Sequence, residues 1–363
     1  MPVSSQRRIV ITAVGAFSPL GSNAAETTAA VNAGVAAFSE FPYLYCTPQD
    51  PGWDEDLPLY VAAVPAIDSS LTGRERFIQL AMPALAEVLG KATLNRRSLA
   101  STGLCIALPQ LNEVTVKYDL EALFLPELCK RTGLSFKINS VNNEGRVGMF
   151  SQIAKAMPLL QSGTLEQCIV GGVDTHLLID HLALLDEYWR LKSSRNVDGF
   201  IPGEAAVMLM LETEENASAR GVQPLAIIHA VGAGEEPHIF SSEKVSTAKG
   251  LTAAVSAALA AKPENYSVNK AYCDFNGESY YAFEIGLVMS RLGSVFAEAG
   301  ELCHPADCYG DVGAASGGLL VACAINEFMK KTKKKQDALL WTSIDNGKRM
   351  ALLLESILNS AIK

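Results

Sequence analysis

The sequence has few charged residues, few aromatic residues and no long apolar run, and each scarcity excludes a class of protein. Charged residues make up 19% and aromatic residues 7% of the 363 residues. Hydrophobic residues make up 49%, which is too many for a disordered chain. No apolar run approaches the roughly 18 residues that a membrane-spanning helix needs, so we expect no membrane span. The 30 basic residues against 39 acidic ones disfavour nucleic-acid binding, which depends on neutralising phosphates.

The chain also lacks the motifs of a disulfide framework, a zinc site or a phosphate-binding loop. Its eight cysteines are scattered through aliphatic segments, which favours buried thiols in a reducing cytoplasm. Gly171 and Gly172 are not followed by the glycine-rich run and lysine of a phosphate loop. We therefore expect a cytoplasmic protein that uses neither a cofactor nor a metal.

Apolar, β-branched segments alternate with alanine- and leucine-rich helical segments along the chain, and this alternation predicts an α/β fold. The predicted strands are residues 8–13, 103–108, 167–173, 205–211, 226–231, 270–275, 339–342 and 351–354. The predicted helices are residues 25–35, 71–89, 151–160, 251–260, 281–292 and 317–329. A polar stretch at residues 212–223 separates two halves without a Gly/Ser linker. We expect one compact unit made of residues 1–215 and 216–363.

Four stretches follow one another in an order that is typical of one enzyme family. They are residues 7–38 (strand, Ser-Pro-Leu-Gly turn, helix), 162–175 (SGTLEQCIVGGVDT), 198–212 (DGFIPGEAAVMLMLE) and 310–325 (GDVGAASGGLLVACAI). Together they resemble a β-ketoacyl-acyl-carrier-protein synthase. The resemblance implies a thiolase-like fold, in which two pseudo-duplicated halves form a five-layer α-β-α-β-α arrangement, and a dimer as the usual assembly.

The resemblance also implies a condensing site with a cysteine nucleophile, and this chain departs from it. A thiolate would take the acyl group. The family pattern over residues 138–148 (INSVNNEGRVG) places the cysteine at Asn142, whereas the distance to Gly163 places it at Gly145 or Arg146. No cysteine lies between Cys129 and Cys168, so neither alignment leaves a side chain that can form a thioester.

The positions of the two family histidines are occupied by an amide and a carboxylate. The stretch 274–278 (DFNGE) aligns with the family's Asn-Ala-His-Gly-Thr motif and places Asn276 at the first histidine. Asp311 stands at the second, after the glycine that opens the late helix. The family's glycine-rich gate aligns with residues 343–348 (SIDNGK), which lack most of its glycines. Because a carboxylate repels an enolate, we expect the condensing reaction to be lost.

The remaining polar residues can line a ligand pocket, cap a helix or contact a partner. We expect Arg146, Glu278 and Ile344 in the pocket and Asp311 at the start of the late helix, where a carboxylate is stabilising. The interface residues expected at the family's dimer seam are Ile169, Val170, Asp174 and His176. Asp174, His176, Asp180 and His181 are metal-ligand types, but their place after a buried strand favours the interface.

The sequence favours a binding protein over an enzyme. A chain-length factor is a non-catalytic synthase homologue that pairs with an active synthase. This precedent predicts a homodimer or a heterodimer with a synthase homologue, with acyl carrier protein as a further partner. The stretches 274–278 and 310–317 also resemble degenerate thiolase-like proteins encoded beside type VI secretion effectors, which makes an adaptor or chaperone for a secreted effector the alternative. An acyltransferase with an unrecognised site is the enzyme alternative.

Overall fold

The structure, a computed structural model, describes residues 7–47, 57–94, 97–242, 244–263, 266–296, 302–330 and 334–357. The strands within these ranges are β1 (Ile9–Phe17), β2 (Ser39–Cys46), β3 (Leu57–Val61), β4 (Thr102–Ala107), β5 (Ile138–Asn142), β6 (Gln167–Thr175), β7 (Glu204–Thr213), β8 (Ala226–Glu235), β9 (Lys270–Cys273), β10 (Leu302–Cys303), β11 (Asp337–Ser343) and β12 (Lys348–Ser356). The helices are α1 (Ala24–Asn32), α2 (Gly73–Ala92), α3 (Leu120–Thr132), α4 (Gly148–Gln161), α5 (Ile179–Glu187), α6 (Glu214–Ala219), α7 (Lys249–Leu259), α8 (Ser279–Arg291), α9 (Gly293–Phe296), α10 (Ala306–Tyr309) and α11 (Ser316–Phe328). Four 3₁₀ turns lie at Ser98–Ser101, Thr115–Tyr118, Gly145–Val147 and Gly313–Ala315.

Ten strands form one sheet whose two halves have the same topology. The strand order is β10-β9-β11-β12-β8-β1-β7-β6-β4-β5, and β2 and β3 form a separate pair. In the first half, β5, β4 and β6 are parallel and β7 and β1 are antiparallel to their neighbours. In the second half, β10, β9 and β11 are parallel and β12 and β8 are antiparallel. The halves meet where β1 pairs with β8 over three residues. The division into residues 1–215 and 216–363 stays a prediction.

Three hydrophobic cores show how helices cover both faces of each half-sheet. One core joins α2 and α3 to the outer face of the first half. A second joins α4 and α11 to the inner faces of both halves. A third joins α7 and α8 to the outer face of the second half. The predicted α/β class and the five-layer α-β-α-β-α order are therefore present. Within the described ranges, no helix combines the length and the apolarity needed to cross a bilayer.

Strand β7 shows why the middle of a central strand is apolar at successive positions, here from Ala205 to Leu211. Ala205, Val207 and Leu209 belong to the core between the half-sheets, whereas Ala206 and Met208 belong to the core under α2. Successive side chains of a strand point to opposite faces. Because both faces are covered by helices, residues 205–211 are apolar on both faces.

The duplication places two similar turns at the centre of the molecule. Gly145 and Gly313 each open a 3₁₀ turn that leads into a central helix, and both have a φ of 51°. This left-handed conformation strains any residue with a Cβ. The polar groups that the sequence analysis selected lie around these two turns.

Candidate functional site

A cavity of about 610 Å³ opens beside the turns at Gly145 and Gly313, both of which line it. Its apolar lining consists of Leu111, Leu184, Leu185, Tyr188, Phe200, Ile239, Phe240 and Ile344. Its polar lining includes Gln110, Asn112, Arg146, Asp174, His176, His181, Arg190, Asp311, Asp345 and Asn346. An apolar wall that faces convergent polar groups is the usual form of a small-molecule site.

The two alternative nucleophile positions differ in where the structure places them. Gly145 and Arg146 line the cavity, and a Cβ on Gly145 would lie 2.9 Å from Ile344 Cδ1. Asn142 is buried and donates through Nδ2 to the Gly148 carbonyl at 3.0 Å. Asn142 therefore points into the start of α4, and the residues that face the cavity at this turn are a glycine and an arginine.

Arg146 is the centre of a buried ion cluster. Its guanidinium lies 3.3 Å from Asp311, 3.6 Å from Asp274 and 3.5 Å from Asp345, and its Cζ lies 4.4 Å from the centre of the Tyr281 ring. Burial would lower the pKa of Arg146, but Tyr281 and the three carboxylates raise it well above its ordinary value. The arginine therefore stays charged and its charge is already matched by internal partners.

Asp311 accepts four hydrogen bonds, two on each oxygen. Oδ1 accepts from His176 Nε2 at 3.3 Å and from the Gly313 N–H at 2.8 Å. Oδ2 accepts from Arg146 Nη1 at 3.3 Å and from Asn276 Nδ2 at 2.8 Å. Burial would raise the pKa of Asp311, but Arg146 and His176 hold it far below the usual carboxyl range. Asp311 is thus a permanently ionised group that caps the turn at Gly313 and has no lone pair left for a substrate proton.

Asp174 and His176, which we expected at a partner interface, lie at the cavity. Asp174 is buried and accepts from the backbone N–H groups of Thr175 and Ala314, each at 2.8 Å, and burial raises its pKa to about 6. Ile169 and Val170 are fully buried in β6, which pairs with β4 on one side and β7 on the other. Their side chains have no exposed surface with which to contact a partner chain.

A second ion cluster joins the loop after α5 to the start of α8. Arg190 forms a two-point ion pair with Glu278 and lies 2.8 Å from Asp345. Its guanidinium also stacks on Phe240, 4.0 Å from the ring centre. Glu278 lies behind Arg190 and is 2% exposed, and burial raises its pKa more than Arg190 lowers it. Glu278 is therefore a support of the cavity wall rather than part of the lining.

Sequence reasoning missed Arg190, Asp345 and Tyr281 as members of the site. Asp345 lies inside the SIDNGK stretch, but the comparison of this stretch with the family's glycine-rich gate concerns its glycines and not its carboxylate. Tyr281 binds Asp345 through its hydroxyl but is an ordinary helix residue in the sequence. Arg190 carries no local signal, because its partners are 88 and 155 residues away.

The arrangement offers binding groups but no nucleophile paired with a base. None of the cysteines that the structure describes lines the cavity. Cys105 and Cys168 are buried in β4 and β6, with their sulfurs 3.6 Å apart. In the described part of the chain, no three His, Cys, Asp or Glu residues are placed to hold a metal ion. The site as built can hold an amphiphilic ligand.

Replacing Asp274 by asparagine should change how the free energy of unfolding depends on pH. Burial raises the pKa of Asp274 to about 6, although Arg146 attracts its ionised form. Between the unfolded value of about 4 and this folded value, the folded chain keeps a proton that the unfolded chain has released. Asp274 therefore lowers stability as the pH rises, and the variant should gain roughly 3 kcal/mol relative to wild type between about pH 4 and about pH 7.

Urea unfolding of both proteins across this pH range measures the gain. Asp180→Asn is the matched control, since Asp180 is exposed in the first turn of α5 and its replacement should change stability by about 1 kcal/mol or less. Parallel pH curves for Asp274→Asn and wild type would contradict the expectation.

No protein-family model matches the chain, but solved structures share its fold. A chain of the AntDE:AntF complex, a type II polyketide synthase acyl-carrier protein with its ketosynthase bound to the hexaketide, is 15% identical over 97% of this chain and 100% of that one, with a TM-score of 0.77. The ishigamide ketosynthase/chain length factor gives the same four values. The ketosynthase from module 6 of the Bacillus subtilis 168 bacillaene synthase is 16% identical over 98% of this chain and 73% of that one, with a TM-score of 0.74. At these identities the likeness concerns the fold, and this chain therefore has the thiolase-like fold of the ketosynthases.

Proposed function

We propose that this chain is a ketosynthase-fold subunit that does not condense acyl groups and that pairs with an active synthase. The observation that carries the proposal is the composition of the cavity. By the motif alignment Asn142, Asn276 and Asp311 occupy the positions at which the resemblance implies a thiolate and two imidazoles, and by the distance to Gly163 the first of them is Gly145 or Arg146. Arg146, Asn276 and Asp311 form an ion and hydrogen-bond network of their own.

The charge at this network opposes condensation. Decarboxylative condensation develops an enolate, which needs hydrogen-bond donors or positive charge. Asp311 is ionised, and Arg146 is already engaged with three carboxylates. An enolate placed here would meet a carboxylate, and the two arginines among the described lining residues, Arg146 and Arg190, are already paired with carboxylates.

Strand β5 offers a surface for the partner. It is the end strand of its half of the sheet, and an unpaired strand edge is a template for pairing with another chain. Three exposed apolar side chains lie on the segments next to it: Leu111, Val116 and Leu123. We call β5 and these three side chains the edge surface. The names of two similar structures, a ketosynthase/chain length factor and an acyl-carrier protein with its ketosynthase, support a synthase as the partner.

Replacing Asn139 by proline should weaken pairing at least about tenfold while leaving the fold intact. Ala107 pairs with Asn142 in the parallel ladder of β4 and β5, and the Leu108 N–H donates to the Asn142 carbonyl. Because backbone groups alternate in direction along a strand, the N–H groups of Ser140 and Asn142 face β4, and the Asn139 N–H points away from it. Proline removes this outward donor without removing a bond to β4. Sedimentation velocity, on the chain alone and with a co-expressed active ketosynthase of the same organism, measures the pairing.

Asn139→Ala is the matched control, because alanine keeps the N–H and the Asn139 side chain is exposed, so this variant should pair as wild type does. Equal association of Asn139→Pro and wild type would exclude β5 as the contact. Capture of a secreted effector instead of a ketosynthase would favour the adaptor alternative over the synthase partner.

A labelling experiment tests the loss of condensing chemistry. The purified chain and an active ketosynthase are each incubated with a radiolabelled acyl-carrier-protein thioester and with a cysteine-directed synthase inhibitor. We expect label on the active ketosynthase and none on this chain. A labelled peptide that contains Cys105 or Cys168 would overturn the proposal in favour of an acyltransferase.

A further inference from the structure

Two histidines connect the cavity loop at residues 109–115 to Asp311 through an unbroken row of hydrogen bonds. The row runs from Asn112 Nδ2 to His181 Nδ1 at 3.3 Å, from His181 Nε2 to His176 Nδ1 at 3.0 Å, and from His176 Nε2 to Asp311 Oδ1 at 3.3 Å. The proposed function makes no use of this row. The hydrogen-bond partners at its two ends determine which atom donates in each bond and which imidazole nitrogens carry a proton.

The orientation of the Asn112 amide fixes the direction of the row. Asn112 Oδ1 accepts from the backbone N–H groups of Val114 at 2.9 Å and Thr115 at 2.8 Å. The oxygen must face these two donors, so the NH₂ group faces His181. Asn112 therefore donates, and His181 Nδ1 carries no proton.

The tautomers of both histidines follow from this. His181 must carry its proton on Nε2, and this N–H donates to His176 Nδ1. His176 in turn carries its proton on Nε2 and donates to the ionised Asp311. Each imidazole nitrogen has one partner within the row, so neither ring has a free nitrogen for acid–base chemistry on a ligand.

The loop end of the row holds the cavity wall in place. Pro109, Gln110, Leu111, Asn112 and Thr115 line the cavity. The Thr115 hydroxyl accepts from the Asn112 N–H at 2.9 Å and donates to the Gln110 carbonyl at 3.0 Å. The two bonds accepted by Asn112 Oδ1 thus close a turn that forms this part of the wall.

One added proton cannot be accommodated without turning the Asn112 amide. A proton on His176 Nδ1 would face the Nε2–H of His181, and two donors would oppose each other. If His181 moves its proton to Nδ1, that N–H faces the NH₂ group of Asn112. The conflict ends only when the amide turns over, which directs its NH₂ group at Val114 and Thr115 and removes both bonds of the turn.

We propose that the row from Asn112 through His181 and His176 to Asp311 is a proton-operated latch, which holds residues 109–115 against the cavity when both histidines are neutral and releases them when one proton is taken up. The loop carries Leu111 of the edge surface, so release also alters the proposed docking face.

The charged groups around the pair direct the proton to His176. Asp311 before α11 and Asp174 on β6 face His176 and favour its charged form, whereas Arg146 on the turn after β5 opposes it. Burial lowers the pKa of His176, but the two carboxylates outweigh burial and raise it. Burial, the neighbouring His176 and Arg190 lower the pKa of His181 to about 3, against the smaller effect of Asp311. His176 is therefore the group that takes up the proton as the pH falls.

Amide hydrogen exchange at Val114 and Thr115 tests the latch on the chain alone, without a partner or an acyl ligand, so its outcome is independent of the proposed pairing. In wild type we expect protection, corrected for intrinsic exchange, to fall about tenfold between about pH 8 and about pH 5.5. Asn112→Asp should abolish this response, because a carboxylate can accept from Val114, Thr115 and His181 Nδ1–H together. His229→Gln, which changes a histidine on β8 that does not line the cavity, should respond as wild type does.

Imidazole nitrogen NMR gives a second readout. At about pH 8 both His176 and His181 should be Nε2–H tautomers. An Nδ1–H tautomer at either residue would overturn the latch. Protection that is independent of pH in wild type, or an Asn112→Asp variant that responds as wild type does, would overturn it as well.

Discussion

Replacing Arg76 by methionine should lower the free energy of unfolding by about 3–5 kcal/mol. The Arg76 side chain is 2% exposed and that of Glu204 is fully buried. Arg76 Nε and Nη2 bind the two Glu204 oxygens at 2.6 and 2.8 Å. Methionine fills a similar volume but leaves the carboxylate buried without a cation. The loss extends beyond the ion pair, because Glu204 also accepts hydrogen bonds from the Val64 N–H, which follows β3, and from the Thr175 hydroxyl at the end of β6.

Urea unfolding near neutral pH measures this loss. Arg74→Met on the same helix is the matched control, since its pair with Glu127 is about one third exposed and should contribute about 1 kcal/mol or less. The double variant Arg76→Met/Glu204→Gln should recover part of the loss, because it removes the uncompensated charge. If Arg76→Met destabilised no more than Arg74→Met, the buried pair would not be the link between α2 and β7.

The strands of the two half-sheets could be predicted from the sequence because burial on both faces leaves a strong pattern. β7 and β11 are buried at all or nearly all positions, so their sequences are short apolar runs with few alternatives. The central helix α11 is buried from Ser316 to Ile325 and is equally apolar. For these elements, local composition and tertiary environment favour the same secondary structure.

The elements that could not be predicted from the sequence are those in which local composition and tertiary environment favour different structures. β2 is exposed at Glu40, Tyr43 and Tyr45 and shows no regular alternation, and within the described residues it pairs with β3 alone. Helix α3 buries a narrow set of residues, Leu120, Phe124, Leu125 and Leu128. These residues pack on α2, and this packing cannot be deduced from residues 120–132 alone.

The candidate site divides in the same way. Alignment of short motifs selected Asn142, Asn276 and Asp311, and the distance to Gly163 added Arg146. The structure joins Arg146, Asn276 and Asp311 directly through Asp311 Oδ2, whereas Asn142 binds the Gly148 carbonyl. Their role in binding stays a prediction. The remaining partners of the network come from segments that are far apart in sequence: Tyr281 and Asp345 are separated by 64 residues and Arg190 and Asp345 by 155. A pairing of this kind depends on the duplicated fold bringing two turns together, and no local pattern encodes it.

Replacing Arg146 by methionine should lower the free energy of unfolding by about 3–5 kcal/mol near neutral pH, and the loss should shrink as the pH falls. Arg146 is the shared cation of Asp311, Asp274 and Asp345. Without it, Asn276, His176 and the Gly313 N–H still bind Asp311, but the pKa values of Asp311 and Asp274 must rise. A carboxyl with a raised folded pKa keeps a proton that the unfolded chain has released, so the variant loses stability as the pH rises through that window.

Urea unfolding of Arg146→Met and wild type at about pH 5 and about pH 7.5 measures both the loss and its pH dependence. Arg146→Lys separates charge from shape, because lysine keeps the cation and gives up the planar fork that reaches several carboxylates at once. Its loss should therefore be smaller and nearly independent of pH. If Arg146→Met lost the same free energy at both pH values, the loss would come from packing against Tyr281 and not from the ion pairs. The Arg146→Lys result would then match that of Arg146→Met, because both replacements disturb the packing of the guanidinium on the ring.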